Sequence, residues 1–142
     1  MAETRFLRSL AVLNGNQAPH AYLSIEYSIY PERRLVSTRL AGRLTGRGLE
    51  TYATSLRSDS RFDPTFAELM DLRQVTEILL EPDEALRLAD QIDLFSLESK
   101  RAFVVHTEAQ RYAARMHQLL LTGRKPISIF SSLEDATRWL CD

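Results

Sequence analysis

The sequence predicts an α/β protein: a mostly parallel sheet of about five strands, an N-terminal β-hairpin and four main helices. Two observations carry that prediction. After one hairpin pattern, short apolar runs alternate strictly with stretches of 3.6-residue periodicity. Capping residues, Gly and Pro also fall at the junctions between those stretches. The order read is β-β-α-β-α-β-α-β-α, and crossovers of that length join parallel strands in a right-handed sense.

Residues 1–21 show no sustained period and contain Asn14-Gly15-Asn16 and Ala18-Pro19. They read as a flexible N-terminal arm with one helical turn around Phe6 to Leu13. The domain proper occupies residues 22–142. Leu23 to Tyr30 alternates apolar and polar residues, a half-buried strand, and Pro31-Glu32-Arg33 turns it into a second strand over Leu35 to Leu40. Thr45 caps a helix with Leu49, Tyr52, Ala53 and Leu56 on one face. Phe66 to Arg73 is the central strand, with apolar residues leading up to Asp71 at its carboxyl end, followed at once by Leu72 and Arg73. Open α/β sheets place their functional groups at that end.

Pro82, followed by Asp83 and Glu84, opens a helix burying Ala85, Leu88, Ala89, Ile92 and Phe95. Arg101 to Val105 is the next strand. Thr107 and Gln110 make a capping box for a helix burying Ala109, Tyr112, Ala113, Met116 and Leu120, and Gly123 stops it. Ile127 to Phe130 is the last strand. Ser131 with Glu134 opens the final helix, with Leu133, Ala136, Thr137 and Leu140 inward.

With 142 residues the chain is the size of one domain, 44% hydrophobic and 26% charged. Its net charge of −1 supplies no bulk attraction to nucleic acid or an anionic membrane. All but two of the 18 basic residues are Arg, a skew that genome composition explains more cheaply than anion recognition does. No apolar run is long enough for a membrane span. Cys141 is the single cysteine, which rules out an internal disulfide or thiolate cluster and suits a reducing cytoplasm.

The stretches Asp71-Leu72-Arg73, Arg101-Ala102-Phe103-Val104-Val105, Tyr112-Ala113-Ala114-Arg115-Met116 and Leu133 to Leu140 look like one family. The sequence is similar, from about Tyr27 to Leu140, to the SpoIIAA-like (STAS/Sec14-type) bacterial proteins, most of which are uncharacterised. The resemblance implies an open β-α superhelix. It also implies one of two activities: a phosphoswitched protein-binding module or an apolar pocket for lipids. The switch needs a Ser or Thr in an Asp-Ser-Ser/Thr-Gly-like turn after the central strand. Here the chain reads Glu81-Pro82-Asp83-Glu84-Ala85, without hydroxyl or glycine. A phosphate there would meet like charge.

The residues themselves offer several candidate sites. Asp71 and Arg73 form a ligand- or partner-binding pair if they meet, Arg73 holding a carboxylate or phosphate; a structural ion pair is the plainer account. Arg111 and Arg115, with His117 nearby, form either an anion-binding edge or a solvated helix face. His106 precedes a helix N-terminus, and with Asp71 it would make a general base. No nucleophile is marked beside it, so a hydrolase ranks last and no catalytic residue is assigned. With only His20, His106 and His117, and no His-x-x-x-His spacing, neither a metal site nor a cofactor is supported. Gly42, Gly46 and Gly48 match no phosphate-binding fingerprint. Trp139 either anchors a partner or seals the core.

The expectation is therefore a non-enzymatic cytoplasmic interaction module without the Ser/Thr switch, monomeric or homodimeric, with an unidentified protein partner. Its alternative is a carrier for a small apolar or anionic ligand, lined by residues such as Phe66, Met70, Phe95, Phe103 and Met116.

Overall fold

The computed structural model describes residues 3–10, 22–91, 93–121 and 126–142. Ile92, Gly123, His20 and the 11–21 part of the expected arm lie outside them.

Six strands form one sheet in sequence order: β1 (Glu3–Leu10), β2 (Tyr22–Tyr30), β3 (Leu35–Thr45), β4 (Ala67–Leu79), β5 (Arg101–Val104) and β6 (Ile127–Phe130). The first three are antiparallel neighbours, and β3 to β6 run parallel. Among the described residues three helices fill the crossovers, α1 (Gly46–Arg57), α2 (Pro82–Gln91) and α3 (Glu108–Leu120), and α4 (Leu133–Cys141) follows β6. The sheet has one strand more than about five. The addition is β1, over residues expected to form an arm with a helical turn at Phe6. Its eight residues pair with β2 from Glu3↔Ile29 to Leu10↔Tyr22. The exposed edge of β2 supplies backbone partners that local periodicity does not reveal.

Alternation in β2 decides which face is core. Leu23, Ile25, Tyr27 and Ile29 are buried on the face covered by α1, α2 and α3. On the opposite face α4 seals a smaller core, with Ala136 against Leu69, Ala102 and Val104. Trp139 closes it, tilted against Phe130 at 5.7 Å with the Lys100 ammonium 5.2 Å from its ring centre.

The helix starts follow their caps. The Thr45 hydroxyl accepts from Gly48 N at 3.0 Å, and the Thr107–Gln110 capping box is complete. The last helix begins one residue later than expected. Ser132, not Ser131, caps it by accepting from Asp135 N at 3.2 Å, while the Ser131 hydroxyl takes a hydrogen bond from Arg111.

The central strand runs past Arg73 to Leu79, so Asp71 lies inside β4 rather than at its end. Two irregularities in the β3–β4 register, between Arg39 and Ala41 and between Gly42 and Arg43, each insert one extra residue into β4. On the other side β5 stops at Val104, opposite Asp71. The overhanging β4 backbone needs another partner, and the buried Gln110 supplies it. Its Nε2 donates to the carbonyls of Val75 (2.8 Å) and Arg73 (3.3 Å).

Candidate functional site

The stripe expected to bury α3 against the sheet faces a cavity instead. Gln110 and Ala114 are its buried positions, Ala113, Met116 and Leu120 are half-buried, and Ala109 and Tyr112 are exposed. The helix bridges a space of about 660 Å³ between α1, α2, α3 and the sheet. That volume is in the range that holds small-molecule ligands, roughly 300–1,000 Å³. Exposed lining residues, Pro82, Glu108, Ala109 and Tyr112, mark its mouth near the N-terminal ends of α2 and α3.

Most of the wall is apolar: Leu40, Leu44 and Leu56 on one side, Leu88, Phe103 and Met116 on others. The polar exception is a charged cluster on the floor. Glu68 and Arg101 are directly opposite on β4 and β5, and both are almost wholly buried. Arg101 donates from Nε (3.0 Å) and Nη2 (2.9 Å) to Glu68 Oε1, and from Nη1 to Asp93 Oδ1 at 3.0 Å. Tyr52 Oη donates to Glu68 Oε2 at 3.1 Å. Having spent its proton there, it accepts from Thr38 Oγ1 at 2.8 Å. Burial, with the Glu68 charge beside it, holds the Tyr52 hydroxyl well above its ordinary pKa, so it stays protonated.

The Arg101 guanidinium also lies over the Phe95 and Phe103 rings, at 5.0 and 6.0 Å. His117 reaches the same wall from α3, edge-on to Phe103 at 5.6 Å. Burial first, and the Arg101 charge second, lower its pKa to about 3, so the imidazole is neutral at physiological pH.

Of the five residues expected to line a pocket, Met70, Phe95, Phe103 and Met116 stand in the cavity wall. Phe66 does not. It precedes β4 and packs in the core beneath the Arg34 guanidinium, 5.4 Å from its ring centre.

Asp71 and Arg73 do meet, on each other. Arg73 donates from Nε (2.9 Å) to Oδ1 and from Nη2 (2.8 Å) to Oδ2 of Asp71, and its backbone N–H adds a third bond at 3.0 Å. That N–H sits where the extra residue of β4 disturbs the ladder. Burial opposes the Asp71 charge, but these bonds and the Arg73 and Arg39 charges outweigh it and keep its pKa below the ordinary carboxylate value. The same Asp-x-Arg clamp recurs at Asp59 and Arg61. The clamp is therefore found once inside a strand and once in the turn after α1.

His106 is exposed just past β5, with its backbone N–H bonded to Gln110 Oε1 at 2.7 Å. Both Asp71 oxygens are engaged by arginine, and among the described residues no hydrogen bond joins Asp71 to His106. Arg111 reaches Ser131 Oγ at 3.0 Å and ties α3 to the start of α4. Arg115 is exposed, while His117 faces the cavity and is separated from that edge. Among the described residues no cluster of His, Cys, Asp and Glu could hold a metal ion, and no helix is long and apolar enough to cross a membrane.

No protein-family model and no curated protein matches this sequence. Among solved structures, a protein of the DUF3478 family with a SpoIIAA-like fold from Shewanella loihica PV-4 superposes with a TM-score of 0.52 at 17% identity. The match covers 99% of this chain and 96% of that one. An anti-sigma factor antagonist from Mycobacterium paratuberculosis gives a TM-score of 0.59 at 17% identity, over 88% and 98% of the two chains. This chain has a SpoIIAA-like fold.

In this SpoIIAA-like fold the functional candidates that sequence reading passed over are Glu68, Asp93, Arg101 and Tyr52, with His117 assigned to the wrong face. A signal was present. Glu68 interrupts one apolar strand and Arg101 opens another, and charges inside buried strands must be paired.

Proposed function

We propose that the protein is a non-enzymatic module that holds a small, mainly apolar ligand between its helices and its sheet. The observation that supports this is the 660 Å³ cavity, apolar over most of its wall, with a polar cluster at one end. Pockets of that kind, with a few convergent polar groups, are the usual form of ligand sites. Native mass spectrometry of the purified chain is the test. Extra mass that disappears on denaturation supports the reading. A mass equal to the bare chain, with no uptake of the apolar dye N-phenylnaphthylamine, overturns it.

A second reading is a regulatory protein-interaction module, cytoplasmic and without the Ser/Thr switch. It is favoured by the apolar side chains left exposed on the helices, Leu86 on α2 and Tyr112 and Leu119 on α3. The likeness in fold to an anti-sigma factor antagonist is in keeping with it. The turn entering α2, Glu81 to Ala85, offers no hydroxyl to phosphorylate. Replacing Leu86 and Leu119, which do not line the cavity, with Glu would abolish partner capture under this reading and leave ligand uptake unchanged under the first.

A further inference from the structure

The charged cluster consumes its own hydrogen-bonding capacity. Arg101 gives Nε and Nη2 to Glu68 and Nη1 to Asp93, and Glu68 also accepts from Tyr52. His117 differs. It lines the same cavity and packs edge-on against Phe103, and among the described residues no hydrogen bond reaches its ring nitrogens. A neutral imidazole presents one N–H donor and one acceptor nitrogen. The residue is half-buried, and its nitrogens open to the cavity, where a bound polar group can engage them.

We propose that the cavity binds an uncharged amphiphile, an apolar body ending in a hydroxyl or similar neutral group, with His117 as the hydrogen-bond partner of that group. This rests on the ligand-binding reading above and names its ligand class. Charge complementarity excludes the alternatives. An anionic head would find Arg101 already held by two carboxylates and would meet their negative charge. A cationic head at His117 would meet Arg101, whose charge is felt at the imidazole. An uncharged head avoids both, and avoids the cost of taking an ion out of water. Met70, Met116 and Leu120 around the body are flexible or half-buried and adapt to its shape.

The test uses the full chain at neutral pH with decanol, decanoate and decylamine, three probes of one chain length and different head charge. Each competes against N-phenylnaphthylamine as an uncharged apolar reporter. Decanol is expected to displace the reporter at a concentration about tenfold lower than either ion. In His117→Leu the decanol advantage falls by about the same factor, and His117→Gln, which keeps a donor and an acceptor, restores most of it. Circular dichroism and thermal melts are to check that both variants fold. Failure of the wild type to take up the reporter overturns the ligand-binding reading itself. Reporter uptake with decanoate or decylamine binding as well as decanol overturns the uncharged-head assignment alone. A decanol preference unchanged in His117→Leu overturns the role of His117.

Discussion

Glu68 and Arg101 face each other across the β4–β5 ladder, and their side chains meet in two hydrogen bonds to a single carboxylate oxygen, at 3.0 and 2.9 Å. The pair is buried, so each ion depends on the other for compensation. Arg101→Ala leaves Glu68 and Asp93 without their cation and is expected to cost about 3–5 kcal/mol in urea unfolding. Replacing the pair together, Glu68→Leu with Arg101→Met, should recover the part of that loss that comes from stranding Glu68, while Asp93 still lacks the Arg101 charge. A double variant no more stable than Arg101→Ala would show that the pair has a positive role beyond mutual compensation.

Gln110 carries a second structural dependence. Its Oε1 accepts from His106 N and Thr107 N, and its Nε2 satisfies two carbonyls of β4 beyond the end of β5. Gln110→Leu keeps the bulk and strands those groups in a buried place, at a cost of about 2–3 kcal/mol. Hydrogen exchange should rise first at the start of α3, while β2 and β3 remain protected. Unchanged stability would mean that water replaces the amide.

Asp59 makes the acid limb of stability predictable. The Arg61 side-chain bonds, against the opposing effect of burial, lower its pKa from 3.8 to about 2. The folded value is below the unfolded one, so the stabilisation is fully present above about pH 4 and is lost as pH falls toward 2. It amounts to on the order of 2 kcal/mol. Asp59→Asn should therefore unfold more easily at pH 7 and show a flatter loss between pH 4 and pH 2. Arg5 and Glu3 of β1 also join this cluster, through Arg5 to Asp59 at 3.4 Å and Arg61 to the Glu3 carbonyl at 3.0 Å. The same substitution should raise hydrogen exchange in β1.

Filling the cavity separates binding from folding. Ala113 lies half-buried in its wall. Ala113→Trp is expected to abolish uptake of N-phenylnaphthylamine while the thermal midpoint stays level or rises, since the new ring occupies space already present. A fall of more than about 2 kcal/mol would indicate overpacking and no pre-formed cavity.

Local chemistry was legible in the sequence. Thr45 and Thr107 cap their helices, Pro82 opens α2, and the alternation from Leu23 to Tyr30 marks the buried face of β2. Those features depend on near neighbours in the chain, so spacing alone reveals them. Met70, Phe95, Phe103 and Met116 could be read as inward for the same reason. Whether inward meant core or cavity could not, because that depends on how far α3 stands from the sheet. The ending of β5 at Val104 and the two extra residues in β4 are likewise pairing facts with no local signature.

The sequence by itself determined the alternation of strands and helices, and with it the α/β class, because periodicity and capping act over a few residues. Tertiary structure decided that Glu3 to Leu10 joins the sheet, that Asp71 and Arg73 brace each other, and that Glu68, Arg101 and Asp93 share one floor. Each of these joins partners through backbone register, strand length or side-chain direction, and none of those quantities is fixed until the chain has folded.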